Sequence, residues 1–117
     1  NDGDLDIITN EFNAEPMVLV SDLSEKKPLR FIQVQLVGTT SNRDALGAKV
    51  VLHSASGTQT RFHDGQSGYL SQSRAPLYFG LDDDTSVSKI EVFWPSGKKQ
   101  TINGPIDTNQ TLTVNEE

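Results

Sequence analysis

The chain is short of several features that mark particular classes of protein. It has no cysteine among its 117 residues, which excludes a disulfide scaffold, a zinc site with thiolate ligands and a cysteine nucleophile. It has no run of about 18 apolar residues, so we predict no membrane insertion. Basic residues are also few, 10 against 16 acids, and the net charge is −6. That balance argues against a nucleic-acid partner, because phosphate-binding proteins need a basic face.

The acidic charge is concentrated at the beginning of the chain. Seven acids and two lysines give residues 1–29 a net charge of −5, whereas nine acids and eight bases leave residues 30–117 at −1. The composition therefore predicts two parts, residues 1–28 and residues 29–117, with a boundary near Pro28. The chain opens without a methionine and within a motif, so we expect it to be the C-terminal part of a longer protein.

The second part alternates apolar and polar residues with a period of two, the pattern of half-buried strands. Ile90, Val92 and Trp94 share one face of the strongest candidate strand, so we predict that Trp94 lies in the core. Other strands are predicted over residues 31–37, 48–53, 58–62, 77–79, 100–102 and 111–114.

Turn-forming residues separate these candidate strands, as in the tight hairpin that we predict at residues 95–98. The one helical turn that we expect lies near residues 67–73. Six or seven short strands joined by turns predict an all-β fold, either an antiparallel β-sandwich or a small barrel.

Three clusters of residues in the second part resemble one family. They are residues 42–50 (NRDALGAKV), residues 68–72 with 79–81 (GYLSQ and FGL), and residues 92–97 with 109–114 (VFWPSG and NQTLTV). In this order, residues 29–117 are similar to the ASPIC/UnbV domain. The resemblance implies a non-catalytic accessory or recognition domain within a secreted, cell-surface or periplasmic protein.

The first residues resemble a second family. Asp2, Asp4 and Asp6 follow the spacing at the end of the calcium loop in FG-GAP (integrin-like, VCBS-type) propeller repeats. The resemblance implies that Asp2 and Asp6 offer side-chain oxygens and Asp4 its carbonyl oxygen, ligands that suit Ca²⁺. Because the first two carboxylates of that loop are missing, we expect no cofactor in this chain. Upstream propeller repeats of the same protein would bind Ca²⁺ and would be its partner.

The loops of the second part hold the residues that we consider for ligand recognition. Residues 68–72 lack strand alternation and place Tyr69 where we expect it to be exposed, beside polar side chains. The candidate ligand-binding residues are Asn42, Arg43, Asp44, Tyr69, Ser71, Gln72 and Arg74. A glycan or a protein would be the ligand. Alternatively, these side chains only fix irregular loops through hydrogen bonds to the backbone.

Other groupings of reactive residues carry less weight. His63, Asp64 and Ser67 are the residue types of a hydrolase triad, but proximity in sequence is not triad geometry, and Ser67 lacks the spacing of a nucleophile elbow. We expect a polar hairpin end there, a surface position for His53, and no catalytic residue in this chain. Three consecutive acids at residues 82–84 cannot all face one cation from an extended chain, so we expect a solvated loop.

Two alternatives to a recognition role are kept. The domain could be the accessory part of an enzyme, a hydrolase or carbohydrate-active protein, whose chemistry lies in the upstream propeller. It could instead be a purely structural cap that packs on the propeller, with the strand before Pro28 completing a sheet edge and residues 17–20 pairing with or packing on the sandwich. A structural cap predicts contact between residues 5–20 and the sandwich. A catalytic role predicts a cleft that holds His53 or His63 near an acid.

Overall fold

A computed structural model describes residues 3–66 and 68–117 of the chain. Within these residues the regular secondary structure is almost entirely β-strand, with one short helix, which confirms the predicted fold class. The elements are β1 (Ile7–Thr9), β2 (Met17–Leu19), α1 (Leu23–Lys26), β3 (Phe31–Val37), β4 (Ala48–Ser54), β5 (Gly57–His63), β6 (Leu77–Gly80), β7 (Ser86–Phe93), β8 (Lys99–Asp107) and β9 (Gln110–Asn115). No helix in this described part is long and apolar enough to cross a membrane.

Seven of the strands form two sheets. One sheet has three strands in the order β6–β3–β9, and the other has four strands in the order β5–β4–β7–β8. Every neighbouring pair is antiparallel except β3 and β9, which run parallel with Ile32 opposite Gln110. The parallel pair arises because the chain leaves β8 in one sheet and enters β9 in the other within two residues. Asn109 makes that turn with a positive φ of 58°.

The core lies between the two sheets and is built from alternate residues of each strand. In β3 every second side chain is buried, as the period of two predicts. Trp94 is only 4% exposed and its indole N–H donates to Oε1 of Gln100 at 2.9 Å, which confirms its predicted place in the core. The buried apolar residues come from both sheets and their loops: Ile32, Val34, Leu36, Ala45, Ala48, Val50, Leu52, Phe79, Leu81, Val87, Ile90, Val92, Trp94, Ile106 and Val114.

The segment before Pro28 forms its own small sheet. β1 and β2 pair with each other as a hairpin, with Ile8 opposite Val18. The prediction that this segment completes a sheet edge of the sandwich is therefore wrong, because the hydrogen bonds of β2 are directed to β1. The helical turn also differs from expectation. It is α1, whereas residues 68–73 form bends and turns and Ser67 lies outside the described residues.

The N-terminal segment contacts the sandwich at Gly3. Phe31 and Tyr78 stack on the outer face of the three-stranded sheet with their ring centroids 5.5 Å apart, and the Tyr78 hydroxyl donates to the carbonyl oxygen of Gly3. A Cβ on Gly3 would lie 2.6 Å from Cε1 of Phe31, so the close approach requires glycine. A salt bridge of 3.4 Å between Lys27 and Asp82 adds a second contact.

Candidate functional site

The candidate ligand-binding residues lie on two loops at one end of the sandwich. Residues 42–46 belong to the loop between β3 and β4, and residues 64–74, which we name the recognition loop, connect β5 to β6. The two loops meet where Nε of Arg74 lies 3.4 Å from Oδ2 of Asp44. The two loops are neighbours because the register of β4 and β5 brings both to the same end of the sheet.

The recognition loop is closed at its base and exposed at its tip. The backbone N–H of Ser73 donates to the carbonyl of Gly65 at 2.8 Å, and Gln66 pairs with Gln72. Tyr69 is 93% exposed, as predicted, and the neighbouring Leu70 is 89% exposed. The loop encloses a shallow cavity of about 650 Å³, to which Ser71, Gln72 and Arg74 contribute lining atoms.

Asn42 and Arg43, by contrast, hold the other loop together. The Asn42 side chain donates to the carbonyl of Leu46 and accepts its backbone N–H, both at 2.8 Å. The carbonyl of Arg43 accepts the N–H of Gly38 at 3.0 Å. A side chain on Gly38 would place its Cβ 2.1 Å from the carbonyl oxygen of Asn42. For Asn42 the structure thus supports the alternative that its side chain fixes an irregular loop.

Glu116 is a buried carboxylate that sequence reasoning missed. It is 4% exposed, and its Oε2 accepts the backbone N–H groups of Thr39 and Thr40 at 2.9 Å and of Ser41 at 2.7 Å. Its Oε1 accepts the hydroxyls of Ser41 and Ser96. Burial raises the pKa of Glu116, but the hydrogen bonds from Ser96, Ser41 and Thr39 outweigh it and hold the pKa at about 2.

These contacts, which we name the Glu116 latch, join three parts of the chain: the end of β9, the loop after β3 and the hairpin between β7 and β8. No signal in the sequence pointed to the latch. An acid next to the last residue normally belongs to a solvated tail, and only the fold brings the two loops around it.

A second missed cluster lies on the outer face of the four-stranded sheet. Nε2 of His53 is 2.8 Å from Oε2 of Glu91, and Nδ1 is 3.1 Å from the hydroxyl of Thr58. The ammonium groups of Lys99 and Lys89 lie 2.7 and 3.4 Å from the same carboxylate. The hydrogen bond from Lys99, followed by that from His53, lowers the pKa of Glu91 to about 2.

This hydroxyl–imidazole–carboxylate array has the residue types of a catalytic triad but not its setting. It lies on the outer face of the sheet and not in the cleft that a catalytic role predicts, and its carboxylate is shared with two lysines. His53 therefore occupies the surface position predicted for it.

His63 and Asp64, the other described triad candidates, lie at the end of β5 and directly after it. His63 is buried, with 6% exposure, and pairs with Ala48 across the sheet. Oδ1 of Asp64 accepts the N–H of Gln66 at 3.0 Å, which is an Asx turn. Ser67 lies outside the described residues. The predicted polar hairpin end is wrong, because this segment connects β5 to β6 in the other sheet.

The acids of the 82–84 loop point to different partners. Oδ2 of Asp84 accepts the N–H of Ser56 at 3.0 Å, while Asp82 faces Lys27. Hydrogen bonds from Ser54 and Ser56 lower the pKa of Asp84. The described residues contain no group of three acids or histidines placed to hold a metal ion.

The N-terminal acids contact the backbone of the segment that follows the hairpin. Oδ2 of Asp4 accepts the N–H of Ser24 at 3.0 Å, and Oδ1 of Asp6 accepts the N–H of Ser21 at 2.9 Å. Asp2 lies outside the described residues. In this chain Asp4 and Asp6 therefore fold the linker back on the hairpin.

Comparison with known proteins decides the family. Residues 38–117 match the family described as ASPIC and UnbV, and this match covers more than half of the chain. The chain belongs to the ASPIC and UnbV family. The predicted resemblance to this family is thereby confirmed over residues 38–117, while the boundary near Pro28 and the FG-GAP resemblance of the first residues stay predictions.

Curated relatives of this ASPIC and UnbV domain share the name cartilage acidic protein 1. The Xenopus tropicalis protein is 39% identical over 101 residues, which are 83% of the chain and 15% of that protein. The human protein is 47% identical over 60 residues, 50% of the chain and 9% of that protein. The mouse protein is 49% identical over 55 residues, 46% of the chain and 8% of that protein. The chain thus spans about one seventh or less of the length of these relatives.

One of the clusters that carried the resemblance contributes Ser96 to the Glu116 latch and contacts a second cluster beside it. Ser96 of the VFWPSG segment donates its backbone N–H to Oγ of Ser41 at 3.1 Å. Pro95 of the same segment packs against Gly47, whose Cβ, if present, would lie 3.5 Å from the proline ring. In this ASPIC and UnbV domain, these motif residues therefore build one end of the sandwich.

Proposed function

We propose that this ASPIC and UnbV domain is a non-catalytic accessory domain of a longer secreted or surface-exposed protein, and that the β1–β2 hairpin fastens it to the part of that protein which precedes it. The observation that carries the proposal is a hairpin with two apolar faces, both exposed. The kinship with cartilage acidic protein 1 supports an extracellular setting.

The two faces of the hairpin follow from its register. Ile8 and Val18 lie opposite each other on one face and are 73% and 59% exposed. Ile7 and Leu19 lie opposite each other on the other face and are 57% and 48% exposed. A two-stranded sheet is marginal in water without a partner, and exposed apolar patches mark interaction surfaces. Covering both faces requires strands or side chains from outside this chain.

The preceding propeller repeats are the partner that this arrangement fits. The resemblance of residues 2–7 to the end of an FG-GAP repeat makes β1 and β2 the last strands of such a repeat. The relatives, several times longer than this chain, have room for repeats of that kind. Ca²⁺ would then belong to the upstream repeats, as in the sequence-based expectation.

Hydrogen exchange tests the anchoring role. We expect the amides of Ile8 and Val18 to exchange quickly in the 117-residue chain and at least about tenfold more slowly in the full-length protein, because packing suppresses local opening. Amides of the interior strand β4 serve as the control and should exchange alike in both. Equally fast exchange of the hairpin in the two forms would show that nothing packs on it.

A second candidate function, ligand recognition by the recognition loop, is favoured by the exposure of Tyr69 and Leu70 at its tip. An exposed aromatic ring can stack on a sugar or on a protein partner. A glycan array compares the unmodified chain with the Tyr69→Ala variant. The Phe12→Ala variant is the matched control, since Phe12 is 96% exposed but lies on the β1–β2 hairpin. Saturable binding that only Tyr69→Ala removes supports the role, and binding that survives in Tyr69→Ala excludes it.

A further inference from the structure

We propose that the outer face of the four-stranded sheet binds an anionic polysaccharide. This surface, the basic face, is separate from both the hairpin and the recognition loop. It consists of the outward-pointing residues in three rows across β5, β4, β7 and β8: Phe62, Lys49, Phe93 and Lys99; Thr60, Val51, Glu91 and Thr101; Thr58, His53, Lys89 and Asn103.

The charge of the basic face is opposite to that of the rest of the chain. Three lysines against one glutamate give it +2, in a chain whose net charge is −6, so all other residues together carry −8. The nearest further acid on β8, Asp107, lies beyond a β-bulge at the far end of the strand. A positive surface on an acidic protein attracts anions and orients their approach.

Lys49 is the least compensated of the three lysines. Its ammonium lies 4.1 Å from the centroid of the Phe93 ring and forms no ion pair within the described residues. Lys99 approaches the same ring at 5.2 Å. The aromatic ring therefore holds the Lys49 ammonium in place without neutralising it, which leaves this charge available to an anionic ligand, whereas Lys99 is also paired with Glu91 at 2.7 Å.

The basic face is long enough to contact an extended ligand. Lys49 and Lys99 lie in one row, two strands apart, which corresponds to roughly 10 Å between their backbones. Lys89 lies four residues from Phe93 along β7, or roughly 13 Å. The row that contains Lys49 and Lys99 crosses all four strands, or roughly 14 Å between its outer backbones, so an extended polymer can contact the whole row and a small anion only part of it.

The surroundings of the lysines favour a polysaccharide over an acidic peptide. Lys49 and Lys89 lie on the interior strands β4 and β7, so at the centre of the face a ligand meets side chains and no unpaired backbone to which a peptide strand could add. Phe62 is 64% exposed and lies in the row of Lys49, where its ring can stack on a sugar. The hydroxyls of Thr60 and Thr101 can exchange hydrogen bonds with those of a sugar.

The test measures binding of the 117-residue chain to dextran sulfate, with uncharged dextran and poly-L-glutamate as comparison probes. One variant carries Lys49→Gln, Lys89→Gln and Lys99→Gln. The control carries Lys26→Gln, Lys27→Gln and Lys98→Gln, which change the net charge equally but lie off the basic face. We expect the first variant to bind dextran sulfate at least roughly tenfold more weakly, the loss of about one charged contact, and the control to bind within about twofold of the unmodified chain.

The single variant Lys49→Gln keeps the result independent of folding, because Lys49 takes no part in the ion pairs of Glu91. It should weaken binding, while the loss of its contact with the Phe93 ring should lower the thermal unfolding midpoint only slightly. If the two triple variants lose equal affinity for dextran sulfate, binding depends on overall charge alone and the proposal is overturned. Tighter binding of poly-L-glutamate than of dextran sulfate, which would identify an acidic polypeptide as the ligand, or no binding of dextran sulfate at all, would also overturn it.

Discussion

The Glu116 latch gives the sharpest test of the structure, through the substitution Glu116→Gln. Glutamine keeps the shape of the side chain. Its carbonyl oxygen can accept the three backbone N–H groups in place of Oε2, and its NH₂ can donate to the hydroxyls of Ser41 and Ser96, which are free to rotate. The fold should therefore survive, and the substitution removes the charge.

The magnitude follows from proton counting. The pKa of Glu116 is about 2 in the folded chain against an ordinary 4.5. Between these values the unfolded chain binds a proton that the folded chain does not, so the contribution is fully present above pH 4.5 and is lost as pH falls toward 2. Unfolding of Glu116→Gln should take up about one proton fewer than unfolding of the unmodified chain in this window.

The measurement is urea unfolding between pH 2.5 and 6, followed by the fluorescence of Trp94, the only tryptophan. The slope of unfolding free energy against pH gives the number of protons taken up. If this slope is the same for Glu116→Gln and the unmodified chain, Glu116 is not held ionised by the latch, and the assignment is refuted.

Glu91→Gln is the matched comparison, because the pKa of Glu91 is also about 2. Its carboxylate is held mainly by lysine, whereas that of Glu116 is held by neutral donors. At 1 M salt, where the Debye length is about 3 Å, the Glu91 contribution should shrink and the Glu116 contribution should persist. Equal salt sensitivity of the two would contradict the different origins assigned to them.

Two further predictions concern stability. Gly38→Ala should destabilise the fold by about 1–3 kcal/mol, because its Cβ would lie 2.1 Å from the carbonyl oxygen of Asn42. Gly80→Ala is the control and should be tolerated, because the nearest atom to its Cβ is 3.9 Å away. Equal unfolding midpoints for the two variants would contradict the packing of the loop. Ile90→Ala removes a fully buried side chain and should cost about 2–5 kcal/mol. Ile8→Ala, at a position 73% exposed, should change the unfolding free energy of the 117-residue chain little, and urea titration distinguishes the two.

The strand pattern was predictable because burial on one face of a sheet imposes a period of two. Ile32, Val34, Ile90 and Val92 show that period in the sequence and are all buried. The N-terminal hairpin was missed for the same reason, since Ile7 and Ile8 are consecutive apolar residues and give no alternation. A strand that is apolar on both faces shows no alternation of apolar and polar residues.

The candidate site was predictable only in part. Tyr69 stands in a segment rich in glycine and serine, and its exposure followed from that local composition. The partners of Glu116 and Glu91 did not follow from local sequence, because they depend on which strands are neighbours. His53 and Glu91 are 38 residues apart, and no rule of spacing connects them.

The sequence by itself determined the all-β class, the buried face of the strands with the clearest alternation and the family. These depend on local hydropathy and on residue types that particular turns require. Only the tertiary structure decided the parallel pairing of β3 with β9, the burial of Glu116 and the gathering of three lysines on one face. Those features depend on which distant segments lie side by side, and the free energy that selects among such arrangements belongs to the packed core as a whole.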